Sequence, residues 1–322
     1  MRDCYLGVDA GSTSIKAVLL DKDNNILESS YFRNEGIIET TKEVLKNLNL
    51  EKYNILSCGV TGSGRNFVKV LLRAHITKTE VLAHSIATLN YYPEVNTIFE
   101  IGGEDSKIMS FYNGVLIDFK LNNICGGGTG SMIEAIATRM GITIEEVGEY
   151  ALKSSIEITM PGKCGIFCQS AVINKLNSGF KKEDILMGVC RALIRNYLAM
   201  AKGINFKPPY VFQGMTANNK ALVLALEEEL DDDIIVPKNC ELMGAVGIAM
   251  MLKEENANSG LDINLDSNYE TRGFKCLDCP NRCEVTQLFK DNIFIGSIGS
   301  RCGKWNNKER KLEKPIEVIT DN

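Results

Sequence analysis

The sequence predicts a duplicated, two-lobed α/β fold that carries a small cysteine-rich tail at its C-terminal end. Three observations support this prediction. A succession of three strands and then helices runs from the N-terminus and begins again near residue 97. The stretches Asp9-Ala10-Gly11-Ser12-Thr13-Ser14-Ile15-Lys16 and Glu100-Ile101-Gly102-Gly103-Glu104-Asp105-Ser106-Lys107 share the arrangement acid-x-Gly-x4-Lys, each between two strand patterns. Beyond a polar stretch rich in Asn, Asp, Ser and Gly, Cys276, Cys279, Cys283 and Cys302 fall close together.

In the first half, periodicity places strands near 4–9, 15–20, 25–32 and 54–60, with helices near 36–48, 64–73 and 79–91. After the restart, strands are expected near 97–101, 106–111 and 114–120. Helices follow near 129–140, 143–152, 165–178 and 182–203, then a strand at 210–213 and helices at 217–230 and 240–252. Pro208-Pro209 stops the long helix because proline removes a donor and clashes with the preceding turn. The expected divisions are a first lobe at 1–92, a second at 93–255, and a linker with its cysteine-rich tail at 256–322. A return of the last helix to the first lobe is the alternative.

At 322 residues and 44% hydrophobic content, the chain is long enough to bury sizeable cores. Its formal charge of -5 supplies no basic field, so nucleic acid is not an expected partner. No run approaches the roughly 18 apolar residues of a spanning helix. Met1-Arg2-Asp3-Cys4 leads into a strand pattern rather than a signal peptide, which points to a cytoplasmic protein without membrane contact. In that compartment, 11 cysteines read as thiols or metal ligands rather than disulfides.

Small residues in the two repeated turns, Gly11 with Ser12 and Thr13, and Gly102 with Gly103, let backbone N–H groups approach phosphate oxygens. Ser12 and Thr13 add hydroxyl donors. A carboxylate at the strand end can hold hydrated magnesium; Asp9 is the first choice and Asp105 the next. Lys16 and Lys107 either reach the phosphates or are ordinary strand lysines, and each turn read alone is an ordinary hairpin. A third turn, Gly214-Met215 between a strand and a helix, can place backbone against an adenosine. There is no Walker P-loop, since no G-x4-G-K-[ST] occurs.

Two cysteines open helix-like runs: Cys125 before Gly126-Gly127-Gly128-Thr129-Gly130, and Cys164 before Gly165-Ile166-Phe167. Orphan amides and the helix dipole favour a thiolate at such a terminus. Alongside paired phosphate turns, they suggest a nucleotide-driven machine that moves electrons. The plainer alternative is a pair of buried thiols. Cys168 lies one turn beyond Cys164 and is read as a supporting or structural cysteine, while Cys4, Cys58, Cys190 and Cys240 fit small core positions.

Through its two phosphate turns and the later adenosine turn, the chain resembles the superfamily of acetate kinase, sugar kinases, heat-shock chaperone ATPases and actin. More closely, it looks like the activators of 2-hydroxyacyl-CoA dehydratases and the ATPase subunits of benzoyl-CoA reductase. The carrying residues are 7–16, 101–107, 123–130 and Cys164-Gly165-Ile166-Phe167 with Ser170 and Val172-Ile173, and the likeness spans roughly 4–252.

The resemblance implies an actin-like, ribonuclease H-like fold that binds ATP or ADP with Mg²⁺. It also implies a homodimer in which one 4Fe-4S cluster bridges two subunits, each contributing Cys125 and Cys164. A cubane needs four thiolates and this region offers two in helix-opening positions, so a twofold axis would complete the set. The implied donor is a ferredoxin or flavodoxin, and the implied acceptor a dehydratase-like iron-sulfur enzyme. This chain departs from the family pattern at Glu100, Glu104 and Gly214-Met215. The departures leave open which acid positions the attacking water; Glu104 is one candidate.

The tail lies outside the resemblance. C-x2-C-x3-C with a fourth cysteine suits a metal on Cys276, Cys279, Cys283 and Cys302, either zinc or a second iron-sulfur cluster. Two other function classes stay open: a sugar or carboxylate kinase with Asp105 as general base, and a nucleotide-sensing regulatory module without turnover.

Overall fold

The computed structural model describes residues 1–122, 127–253 and 266–310. The first half contains β1 (Arg2–Ala10), β2 (Ser14–Leu20), β3 (Ile26–Arg33), α1 (Ile37–Lys46), β4 (Tyr53–Thr61), α2 (Arg65–Leu72), β5 (Ile76–Thr77) and α3 (Glu80–Tyr91). Its sheet runs β3-β2-β1-β4-β5, with the first two pairings antiparallel and the rest parallel.

The second half contains β6 (Thr97–Ile101), β7 (Ser106–Tyr112), β8 (Val115–Asn122), α4 (Gly130–Met140), α5 (Glu146–Ala151), α6 (Gly165–Asn177) and α7 (Lys182–Met200). It closes with β9 (Tyr210–Gln213), α8 (Lys220–Leu230), β10 (Ile234–Ile235) and α9 (Met243–Met251). From its far edge this sheet reads β8-β7-β6-β9-β10, again two antiparallel and then two parallel pairings. The same order and sense in both halves make the duplication a matter of topology as well as of motif.

Strands β1, β2, β6 and β9 are buried along most of their length, which explains why they read as continuous apolar runs. Phe99, Phe212 and Tyr197 anchor the second core beneath α7. Helix α3 sits between the two sheets. Its Val81 and Leu89 pack with Ile98, Met109 and Val211 of the second sheet, while Ala87 packs with Val18, Leu20 and α9. Helix α9 lies on β1, β2 and β4, so the last helix of the second half covers the first sheet. It is nearly all apolar because both of its faces are covered.

Sequence periodicity gave no strands in the tail. The structure forms β11 (Tyr269–Lys275), β12 (Glu284–Lys290) and β13 (Ile293–Ile298) there, as an antiparallel meander. The meander leans on α2: a Cβ added at Gly296 of β13 would come within 2.8 Å of Val70 Cγ1. Lys42 Nζ donates to the Ser267 carbonyl at 2.6 Å and lies over the Tyr269 ring.

Candidate nucleotide and cluster site

The acid-x-Gly-x4-Lys repeat has a simple meaning in register. Asp9 pairs directly with Lys16 across the β1–β2 hairpin, and Glu100 with Lys107 across β6–β7. Side chains at facing positions share one side of the sheet. The ammonium of Lys16 therefore stands 3.4 Å from Asp9 Oδ2, and that of Lys107 2.8 Å from Glu100 Oε2. Lys107 also reaches Asp105 at 3.1 Å and Glu80, on α3, at 3.7 Å. The buried Tyr197 hydroxyl donates to the Lys107 carbonyl at 2.6 Å and accepts the Glu100 N–H at 3.1 Å, fixing both strands of the hairpin.

The two turns face each other across a cavity. It is lined by Asp9, Gly11, Ser12, Thr13 and Lys16 from the first half, and by Gly102, Gly103, Asp105, Gly214 and Met215 from the second. Their approach is close: a Cβ on Gly103 would lie 2.2 Å from Thr13 Oγ1, so only glycine fits. Thr216 Oγ1 donates to the Ile101 carbonyl at 2.7 Å and ties the third turn to the end of β6.

Glu104 is exposed and does not line this cavity. The turn directs Asp105 onto Lys107 and leaves Glu104 outside, so the expected water-positioning role does not follow from its placement. Glu80 and His84, which stand in no recognisable catalytic motif of the sequence, do line the cavity. They lie four residues apart at the start of α3 and so project from one face. That spacing was visible in the sequence, but it stood outside the glycine turns.

Four carboxylates and two ammonium groups meet here. Burial opposes the charge on Lys107, but Glu100, Glu80 and Asp105 together hold its pKa well above the usual lysine value. The same balance holds for Lys16, where burial is outweighed by Asp9, Tyr31 and Glu100. Burial, against the pull of Lys107, pushes the Glu80 carboxyl up to about 7, with Asp9, Asp105 and Glu100 adding to the effect. Burial and Glu100 raise Asp105. Burial first, then Lys107, depress His84 to about 4, so its imidazole is neutral. Asp9 Oδ1 and His84 Nδ1 are buried without a partner. A carboxylate oxygen left unsatisfied next to a phosphate-sized cavity fits a hydrated divalent cation.

Backbone hydrogen bonds tie this cavity to α4. The N–H groups of Gly130 and Ser131, at its first turn, donate to the carbonyls of Gly102 and Gly103 at 2.9 and 2.8 Å. The Cys125 position just before it lies outside the described residues. Cys164 is the N-cap of α6, in extended conformation and without a side-chain capping bond, so its sulfur is not spent on its own helix. A Cβ on Gly165 would lie 3.7 Å from Met132 Cγ, which sets the N-termini of α6 and α4 side by side. Cys168 is fully buried and its thiol is pushed up to about 11 by burial, as suits a packing residue. Burial likewise pushes Cys58 and Cys190 up to about 12.

In the tail, Cys276 and Cys283 flank the β11–β12 loop, and the Cys276 N–H donates to the Cys283 carbonyl at 2.8 Å. Trp305 Nε1 donates to Cys276 Sγ at 3.3 Å, while Cys279 and Cys302 are exposed. Among the described residues, no three His, Cys, Asp or Glu side chains are close enough to hold a metal ion. No described helix is long and apolar enough to cross a membrane.

The comparisons agree with this geometry. The chain is 28% identical over 249 residues to the (R)-2-hydroxyglutaryl-CoA dehydratase activating ATPase of Acidaminococcus fermentans, covering 76% of this chain and 95% of that one. It is 30% identical over 264 residues to the 2-hydroxyisocaproyl-CoA dehydratase activator of Clostridioides difficile, covering 80% and 98%. The solved structure of a Clostridium difficile 2-hydroxyisocaproyl-CoA dehydratase activator with bound ADPNP superposes with a TM-score of 0.72 at 29% identity, covering 79% of this chain and 95% of that one. The fold is thus the duplicated actin-like ATPase fold of those activators. The model of the BadF/BadG/BcrA/BcrD ATPase family matches residues 6–251, and the chain belongs to that family of ATPases.

Proposed function

We propose that the protein is an ATP-driven electron-transfer activator, working as a homodimer on a dehydratase-like iron-sulfur enzyme. The observation that carries this reading is the pair of hydrogen bonds from Gly130 and Ser131 to Gly102 and Gly103. They join the phosphate-facing turn to the helix that follows Cys125 without an intervening element. Movement of that turn when ATP replaces ADP would be felt at the start of α4, and through Met132 at α6 and Cys164.

In this reading Ser12, Thr13, Lys16 and the Gly102–Gly103 backbone hold the phosphates, and Asp9 with Asp105 holds water on Mg²⁺. Gly214 and Met215 flank the adenosine. Cys125 and Cys164 of two protomers would hold a shared 4Fe-4S cluster, a one-electron carrier that a ferredoxin or flavodoxin would refill. The free sulfur of Cys164 at a helix N-terminus suits an anionic cluster. Exposed Ile166 and Phe167 beside it, and exposed Ile117, Phe119 and Leu121 along β8, supply apolar surface for a second copy. A ligand shifts such a machine only through unequal affinity for its two shapes, and here both halves line the nucleotide cavity.

The tail cysteines are proposed to take a thiophilic metal, zinc or iron-sulfur. The support is their spacing and their gathering at one end of the small sheet, where Cys279 and Cys302 would have to turn inward. Metal analysis of the chain truncated after residue 255, beside the full chain, separates tail metal from any cluster.

The test is anaerobic purification. A brown dimer that hydrolyses ATP and bleaches with dithionite, or takes an electron from a reduced ferredoxin, is the expected result. A colourless monomer that phosphorylates a sugar or carboxylate would replace this reading with a kinase.

A further inference from the structure

Glu80 opens α3, the helix packed between the two sheets, and its carboxylate enters the cavity between the phosphate turns. Its Oε2 stands 3.7 Å from Lys107 Nζ, which already serves Glu100 and Asp105. Glu80 is therefore the third carboxylate on one ammonium and the least closely held. It comes from a different element than the acids of the two hairpins. His84, one turn on and on the same face, is 4% exposed, lines the cavity and has an unpartnered Nδ1. A Cβ on Gly244 of α9 would lie 2.9 Å from Asp9 Oδ2 and 3.2 Å from His84 Nε2, which sets the imidazole next to Asp9.

We infer that Glu80 is the catalytic residue that orients the attacking water and takes its proton, with His84 a positioning residue that keeps Asp9 in place. This rests on the ATPase reading and deepens it. Of the other acids that line the cavity, Asp9 and Glu100 are paired with the hairpin lysines, Asp105 with Lys107 and Glu134 with Arg33. Glu241 accepts from Asn218, Glu145 is exposed, and Glu104 stands outside. Of the lining acids that are not exposed, Glu80, at 3.7 Å from its lysine, is the least closely held and the most able to face the terminal phosphate. In the step, the water oxygen forms a bond to the terminal phosphorus as the bond from that phosphorus to the bridging oxygen breaks. ADP leaves with the electron pair, and the water proton passes to Glu80. A base works best when its affinity for the proton is near that of the medium, and burial, against the pull of Lys107, raises the Glu80 pKa toward neutrality. Lys16, which lines the cavity, would neutralise the developing charge, while Lys107 stays behind it on Glu100 and Asp105.

The test is Glu80→Gln in the full chain. The expected result is a fall of about 100-fold or more in kcat for MgATP hydrolysis, with ADP affinity changed less than about threefold. Glu80→Asp, which keeps the base but withdraws it, should recover part of the rate, and it serves alone if the Gln form does not fold. His84→Ala should raise the Mg²⁺ concentration needed for half-maximal rate, and His84→Gln should restore it. A Gln variant that turns over as the wild type does overturns the assignment of Glu80 alone. A wild-type chain that hydrolyses no ATP overturns both this assignment and the ATPase reading beneath it.

Discussion

Glu100 and Lys107 face each other across the β6–β7 hairpin and close a 2.8 Å ion pair, as Asp9 and Lys16 do at 3.4 Å across β1–β2. A turn of this length brings residues seven apart into register, so the acid and the lysine of the repeat are set opposite each other. The glycine between them keeps the bend open to a phosphate. One motif therefore encodes a charge pair and an anion cradle together, and the fold places two copies face to face.

Replacing Lys107 by Met should destabilise the protein by about 3–5 kcal/mol in urea unfolding, because Glu100 and Asp105 would be left as uncompensated charges near a buried site. Adding Glu100→Gln to the same chain should return part of that loss. A single Lys107→Met variant as stable as the wild type would mean the pair contributes nothing net.

The pH dependence of stability should reflect two opposing groups. His84 has a folded pKa of about 4, below its ordinary 6.5, so the unfolded chain takes up the proton first and stability is lost as pH falls from about 6.5 to about 4. Glu80 has a folded pKa of about 7, above its ordinary 4.5, so the folded chain holds the proton longer and stability is lost as pH rises from about 4.5 to about 7. The two nearly cancel between pH 5 and 7. In Glu80→Gln only the His84 slope remains, and that variant should lose on the order of 2 kcal/mol more than the wild type on moving from pH 7 to pH 5. Parallel denaturation curves at the two pH values check this.

Gly103→Ala should weaken nucleotide binding by about tenfold or more, since the added methyl meets the Thr13 side chain and holds the turns apart, at an overpacking cost of about 1–3 kcal/mol. Calorimetric titration with ADP reads the change.

Cys164→Ser should lower the iron content of anaerobically purified protein while leaving ADP affinity within about threefold, because the sulfur sits at the α6 N-cap and not in the nucleotide cavity. Unchanged iron in that variant would remove Cys164 from the ligand set.

Much of this architecture was legible because chemistry and periodicity coincide. The repeated turns announce themselves by glycine and charge, and the buried strands β1, β6 and β9 by unbroken apolar runs. Helix α3 was legible as a helix but not as a wall of the site, because the meaning of Glu80 and His84 arises only when Lys107 and Asp9 are folded against them. Glu104 misled for a related reason: its sequence position beside Asp105 says nothing about which of two neighbours turns inward. The three tail strands were hidden by exposure. Strand β11 has a single buried residue, Phe274, and so little apolar alternation to read.

Strand β13 rests on Val70 of α2, and Ser63, just ahead of α2, borders the nucleotide cavity. The cysteine-bearing meander is therefore seated on the half that supplies Asp9, Ser12, Thr13 and Lys16 to the cavity, rather than trailing from it. In the proposed ATP cycle, a protein bound to this appendage would take hold of that half and resist or assist its movement. The appendage is in that sense a handle through which an outside load could set the pace of the ATP cycle.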